Sequence, residues 1–149
     1  MEGQKIIQAV TNLFKGADER DWQLVLSVLA DEVFLDYSSM NGVEPSVHTH
    51  QQVIDAWADF LPGFDSTNHQ LSEFKIQLHG NEADLFCLGK ADHYIDDQVW
   101  TIYGSYHTKL RKQDGKWLIV CHKLNYDRQT GNTSLPRLAQ ENVLAAKKQ

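Results

Sequence analysis

Residues that mark special architecture or chemistry are scarce in this chain. Its two cysteines, Cys87 and Cys121, lie inside apolar runs and lack metal-ligand spacing. That argues against a disulfide framework or zinc module and for buried free thiols in a reducing compartment. Cationic residues are outnumbered, 14 Lys plus Arg against 20 Asp plus Glu, for a formal net charge of −6. A nucleic-acid surface would need a basic stripe, so no nucleic-acid partner is expected. No apolar run approaches the length of a membrane span, and Met1-Glu2-Gly3-Gln4-Lys5 leads straight into an amphipathic pattern rather than a signal peptide. The expectation is a cytoplasmic protein with no membrane partner. A Gly-x-Gly-x-x-Gly run, a Walker loop and a nucleophile elbow are all missing, which leaves nucleotide binding and serine hydrolysis without support. With nine glycines, three prolines, no internal repeat and no low-complexity stretch, the 149 residues suit one compact domain with a real core.

What is present starts with a helical face. Ile6, Ile7, Val10, Leu13 and Phe14 recur at helical spacing, and Gly16 is expected to close that helix. Asp21 caps a second helix with Trp22, Val25, Leu26 and Leu29 on one stripe. A short strand follows, with Val33, Leu35 and Tyr37 on one side. Residues 40–47 read as a loop. Thr49 and Gln52 form a capping-box pattern for a third helix, which buries Val53, Ile54, Trp57, Phe60 and Leu61 before Pro62-Gly63 breaks it.

From about His69 the rhythm changes to strands over 69–79, 83–95, 98–112 and 116–127, with turns at Gly80-Asn81-Glu82, Asp96-Asp97 and Asp114-Gly115. The order ααβα followed by an antiparallel meander defines an α+β domain over residues 1–131. Residues 132–149 form a tail with helix-forming residues and a Ser134 cap, which either folds over a pocket or frays. Stretches such as Trp117-Leu118-Ile119-Val120-Cys121 are apolar at both parities, so the strands are expected to be covered on both faces. Helices would cover one face; self-association as a dimer or trimer would cover the other.

Two polar residues far apart in sequence hold the chemistry. Asp18 lies where the first helix gives way to an acidic turn, and His69 opens the first long strand. A carboxylate that fixes the tautomer of an imidazole is minimal equipment for proton abstraction near neutral pH. His48-Thr49-His50, with His69 or His79, invites a metal reading, but no reliable remaining ligand set exists and no metal is expected. His93 shares strand parity with Leu85, Cys87 and Ala91, so it points inward, as a catalytic acid or as a satisfied interior histidine. Trp22, Phe14 and Trp57 are either cavity walls or plain core.

Four segments resemble the SnoaL-like branch of the nuclear transport factor 2-like superfamily, in particular its scytalone dehydratase and hexachlorocyclohexane dehydrochlorinase members. They are Ala17-Asp18-Glu19-Arg20-Asp21-Trp22, Phe34-Leu35-Asp36-Tyr37-Ser38-Ser39, Ser66-Thr67-Asn68-His69 and Ala91-Asp92-His93-Tyr94. The resemblance covers about residues 4–128 and implies a cone, a curved, mostly antiparallel sheet packed on three helices. It places the catalytic aspartate on Asp18 and the catalytic histidine on His69. It gives Tyr37 a part in polarising the substrate and His93 the place of a second pocket histidine. Counting back from Asp114-Gly115-Lys116-Trp117 puts a further substrate-binding position on Tyr106, where a one-residue slip would put His107. The chain departs from the dehydratase pattern at Ala17, where the dehydratase has a tyrosine, and at Tyr106, where it has an asparagine. The reading that follows is a cofactor-independent lyase or isomerase acting on a hydrophobic, oxygenated small molecule. Its competitors are a non-catalytic binding or oligomerisation module, a polyketide cyclase and an epoxide-opening enzyme.

Overall fold

The computed structural model describes residues 1–148. Helix α1 (Glu2–Glu19) buries Ile6, Val10, Leu13 and Phe14 of the expected stripe together with Ala9, while Ile7 is only partly buried at the core's edge. The helix does not stop at Gly16. It ends three residues later, with Arg20 in the left-handed conformation (φ 58°) as its C-cap. Gly16 serves helix packing instead. A side chain there would stand 2.7 Å from Val25 Cγ2, so its bareness lets α1 and α2 (Trp22–Ser27) touch. The Asp21 side chain caps α2 by accepting from the Leu24 amide at 3.2 Å.

Strand β1 (Leu29–Asp36) is followed by two elements that overlap the two ends of the expected loop, a single helical turn α3 (Ser38–Asn41) and a short strand β2 (Ser46–Thr49). Helix α4 (His50–Ala58) opens with the expected capping box. Thr49 Oγ1 accepts from the Gln52 amide at 3.1 Å, and the Gln52 side chain accepts from the Thr49 amide at 2.9 Å. A 3-10 turn at Leu61–Gly63 then leads into the meander β3 (Ser66–His79), β4 (Glu82–Ile95), β5 (Gln98–Gln113) and β6 (Lys116–Gly131).

The sheet order is β2-β1-β6-β5-β4-β3, with β1 parallel to β6 and every other pair antiparallel. A bulge at Ser72–Lys75, with Glu73 at φ 57°, flips the parity of β3. Thr67, His69 and Leu71 face the helices before it; Phe74 and Ile76 pack on the core after it. The main core joins α1, α2 and α4 to the inner face of the sheet. A second cluster, Phe64, Ala91, Ile95, Trp100 and Ile102, receives Leu135 and Ala139 of α5 (Leu135–Lys147). The tail therefore docks as a helix behind the inner sheet face. No helix among the described residues is long and apolar enough to cross a membrane.

Candidate active site

The last turn of α1 meets the start of β3, and this brings Asp18 to His69. Asp18 Oδ1 accepts from His69 Nδ1 at 2.6 Å, and Oδ2 accepts from the His69 backbone N–H at 2.7 Å. The Thr67 hydroxyl donates to Oδ1 at 2.9 Å and accepts from Arg20 Nη1, also at 2.9 Å. Arg20 donates in addition to the carbonyls of Ala17 and Leu61, both at 2.7 Å. One chain of hydrogen bonds thus runs Arg20–Thr67–Asp18–His69. Burial pushes the Asp18 carboxyl up, but the hydrogen bonds it accepts from His69 and Thr67 outweigh it and hold Asp18 below the ordinary range, ionised. An ionised Asp18 fixes the proton of His69 on Nδ1 and leaves Nε2 as a lone-pair base. Nε2 has no protein partner among the described residues, and His69 lines a cavity of about 350 Å³.

Aromatic side chains dominate that cavity: Phe14, Tyr37, Trp57, Phe60, Trp100 and Tyr106. Its mouth carries the polar groups Asn41, Glu44, Ser46 and His48, and no lysine or arginine lines it. His93 is buried against Phe64 and Trp100, with ring centroids at 4.9 and 4.4 Å, and stands edge-on to His69 at 6.0 Å. Its Nδ1–H donates to the Trp100 carbonyl at 3.0 Å. Burial first, then the neighbouring His69, lowers its pKa to about 4. Neutral His93 therefore offers the cavity an Nε2 lone pair, an acceptor rather than an acid.

Tyr37 and Tyr106 both line the cavity, and neither hydroxyl has a protein partner among the described residues. Burial, and for Tyr37 the neighbouring Tyr106, raises both hydroxyls: Tyr37 well above its usual value, Tyr106 beyond it as well. They stay protonated and act as donors. The slip between positions 106 and 107 is resolved by strand parity. Tyr106 faces inward, while His107 faces outward and pairs with Asp84 at 2.7 Å.

Of the residues singled out from sequence, Asp18, His69, Tyr37, His93 and Tyr106 converge on one site. Trp22 does not. It opens α2, where its ring packs at the edge of the main core, away from the cavity lining. Phe14 and Trp57 do form walls. Arg20, Thr67 and His122 escaped sequence reasoning. Thr67 carried a usable signal, since it lies two residues before His69 and so on the same face of β3. Arg20 and His122 carried none. His122 is buried behind the wall; its Nδ1 is 2.8 Å from the Thr108 hydroxyl and its Nε2 has no partner. An unmatched buried polar atom of this kind costs about 1–3 kcal/mol.

No curated protein matches the chain by sequence. Solved structures share its fold at low identity. The Kfla4162 protein of Kribbella flavida has a TM-score of 0.85 at 20% identity, over 90% of this chain and 95% of that one. A scytalone dehydratase-like protein of Novosphingobium aromaticivorans has a TM-score of 0.74 at 18% identity, over 88% and 87%. Hexachlorocyclohexane dehydrochlorinase LinA-type3 of Novosphingobium barchaimii has a TM-score of 0.69 at 13% identity, over 85% and 89%. The fold is thus the cystatin-like, nuclear transport factor 2-like roll. The SnoaL-like domain pattern matches residues 3–122, most of the length and every residue of the Asp18–His69 chain. The chain belongs to the SnoaL-like domain family.

Proposed function

We propose that this protein is a dehydratase-like lyase or isomerase that removes a proton from an uncharged, hydrophobic, oxygenated small molecule. The observation that carries this reading is the 2.6 Å contact of Asp18 Oδ1 with His69 Nδ1, which leaves the opposite nitrogen facing an apolar cavity. His69 Nε2 takes a proton from a carbon next to a carbonyl. In a dehydration the neighbouring C–O bond then breaks, and the proton held on His69 leaves with the departing hydroxyl as water; in an isomerisation it returns to another carbon. Asp18 stabilises the imidazolium as it forms, and Thr67 and Arg20 keep Asp18 in place. Tyr37 and Tyr106 donate to the oxygen on which negative charge develops, so polarising the carbonyl falls to them. His93, as an acceptor, orients a substrate hydroxyl. The aromatic walls exclude water and strengthen each of these contacts. The reaction needs no cofactor, because the carbonyl acidifies the proton. The paired dehydratase and dehydrochlorinase neighbours support this chemistry at the level of fold only. Free Cys87 and Cys121 suit a cytoplasmic setting.

The test is proton exchange. Neutral aryl and cyclic ketones, 4-methylacetophenone among them, are incubated with the protein in D₂O, and loss of the protons next to the carbonyl is followed by NMR. Wild type should catalyse exchange. His69→Ala should abolish it, and Asp18→Asn should slow it by about 10² to 10⁴-fold. A non-catalytic binding module would hold the ketones equally in all three proteins and exchange none, and that result overturns the reading.

A further inference from the structure

His122, on β6, has no part in the Asp18–His69 chain, yet it lies one side chain behind the cavity. It is 1% exposed, and Thr108, the partner of its Nδ1, is fully enclosed. Its Nε2 is the single enclosed side-chain nitrogen or oxygen without a partner among the described residues. Either tautomer leaves that atom short, with a lone pair lacking a donor or an N–H lacking an acceptor. Buried polar atoms are almost always matched, so an unmatched one calls for a partner, either an ordered water or a group of a bound ligand.

Each ring packed on this imidazole is also a cavity wall. Tyr106 lies parallel to it at 5.1 Å (14°), Phe14 is tilted at 5.5 Å and Tyr37 at 6.0 Å. Leu35, its neighbour across β1, and Leu124, two residues further along β6, line the cavity as well. Phe14 is common to both histidines, since it stacks on His69 at 4.8 Å. One aromatic ring therefore separates the reactive imidazole from the unmatched one.

We propose that His122 Nε2 is a second binding point of the cavity, which takes a hydroxyl group of an uncharged ligand whose carbonyl end faces His69, once the Phe14 ring turns aside. The chemistry selects a hydroxyl because it both donates and accepts, and so satisfies Nε2 in either tautomer. A carboxylate is disfavoured: no cation lines the cavity, and burial keeps His122 uncharged. This inference rests on the cavity being a ligand site, and it adds to the proton-transfer reading the demand for a second oxygen at the far end of the ligand.

Two ketones of matched shape, 4-hydroxyacetophenone and 4-methylacetophenone, test it at about pH 6. Wild type should bind the hydroxy compound about fivefold more tightly, the worth of one net hydrogen bond. His122→Phe should lose that preference, and His122→Gln, which keeps a polar group, should retain it. In ¹⁵N-labelled wild type, the Nε2 resonance of His122 should move with the hydroxy compound and not with the methyl compound. The wild-type resonance decides alone if the variants fail to fold. An equal preference in wild type and His122→Phe, or an Nε2 resonance that responds alike to both ketones, overturns the proposal. The latter is what a permanently held water or a rigid wall would give. Failure here leaves exchange by His69 untouched, so the two readings fall separately.

Discussion

At the scale of single residues, the site combines one ionised carboxylate, Asp18, with two histidines that burial keeps neutral, His93 and His122, and these fix how stability depends on pH. Burial, then the proximity of His69, lowers His93 to about 4 and His122 to about 3, whereas an imidazole in the unfolded chain titrates near pH 6.5. Between those values the unfolded state binds more protons. The stability linked to each histidine is therefore complete above about pH 6.5 and is lost as pH falls toward the folded value, at about 1.4 kcal/mol per pH unit for each ring. Thermal melts should show Tm falling from about pH 6 downward, above the carboxylate range, and His122→Phe should flatten the slope; a Tm constant between about pH 7 and 5 would refute this. Asp18 is also lowered in the folded state, so its contribution is present above about pH 4 and disappears as pH falls through its folded value. Asp18→Asn removes a charged acceptor from Thr67 and from both N–H groups of His69. It should cost about 1–3 kcal/mol at pH 7 by denaturant titration, with the gap to wild type narrowing in acid. Asp18 and His69 are legible in the sequence because short segments around each carry a recognisable pattern. Arg20 and His122 are not, since their roles come from hydrogen bonds and ring contacts to residues 14 to more than 100 positions away.

At the scale of elements, local chemistry is legible in the sequence wherever it is self-contained. Thr49 and Gln52 satisfy each other's backbone within four residues, and Asp114-Gly115 turns a hairpin without outside help. Elements that depend on distant partners leave no such trace. Strand β2 exists because Val47 and His48 pair with Phe34 and Val33, and the turn α3 is held by Ser39, whose hydroxyl donates to the Leu124 carbonyl at 2.8 Å. The tail illustrates the same point. Its composition suggests a helix, but its docking depends on Gly63, where any Cβ would collide with the Ala139 carbonyl, and on Asn142, which donates to the Gly63 carbonyl at 3.0 Å. Gly63→Ala should push α5 off the second cluster at a cost of about 1–3 kcal/mol, the usual penalty of overpacking. Limited proteolysis is the measurement, with early cleavage after residue 131 in the variant and not in wild type. Equal cleavage rates would show that α5 docks by other contacts.

At the scale of the whole molecule, the inner face of the sheet is spent on the core and the cavity, and the outer face is left to explain the strands that are apolar at both parities. Phe86 and Leu88 lie on one side of that face and Phe34 and Val47 on the other, all more than a third exposed. Between them β5 and β6 present Lys109, Cys121 and Lys123, with Asp84 opposite Lys109 and Asp36 opposite Lys123 in the strand register. A two-fold axis running along the strands between β5 and β6 would set each apolar patch of one copy on the other patch of its partner. Such a contact would be isologous. The expected state is therefore a dimer packed through the sheet. The alternative trimer would need a heterologous contact instead. Sedimentation velocity at micromolar concentration should give a dimer for wild type and a monomer for Phe86→Glu, which sets a carboxylate into the apolar half of the contact. A bismaleimide should cross-link wild type through Cys121, near the proposed axis, and should fail in Cys121→Ser. Because the outer face lies across the sheet from the cavity, the Phe86→Glu monomer should retain ketone exchange. A wild type that sediments as a monomer, or a monomeric variant that loses the reaction, would show that the outer face has another purpose.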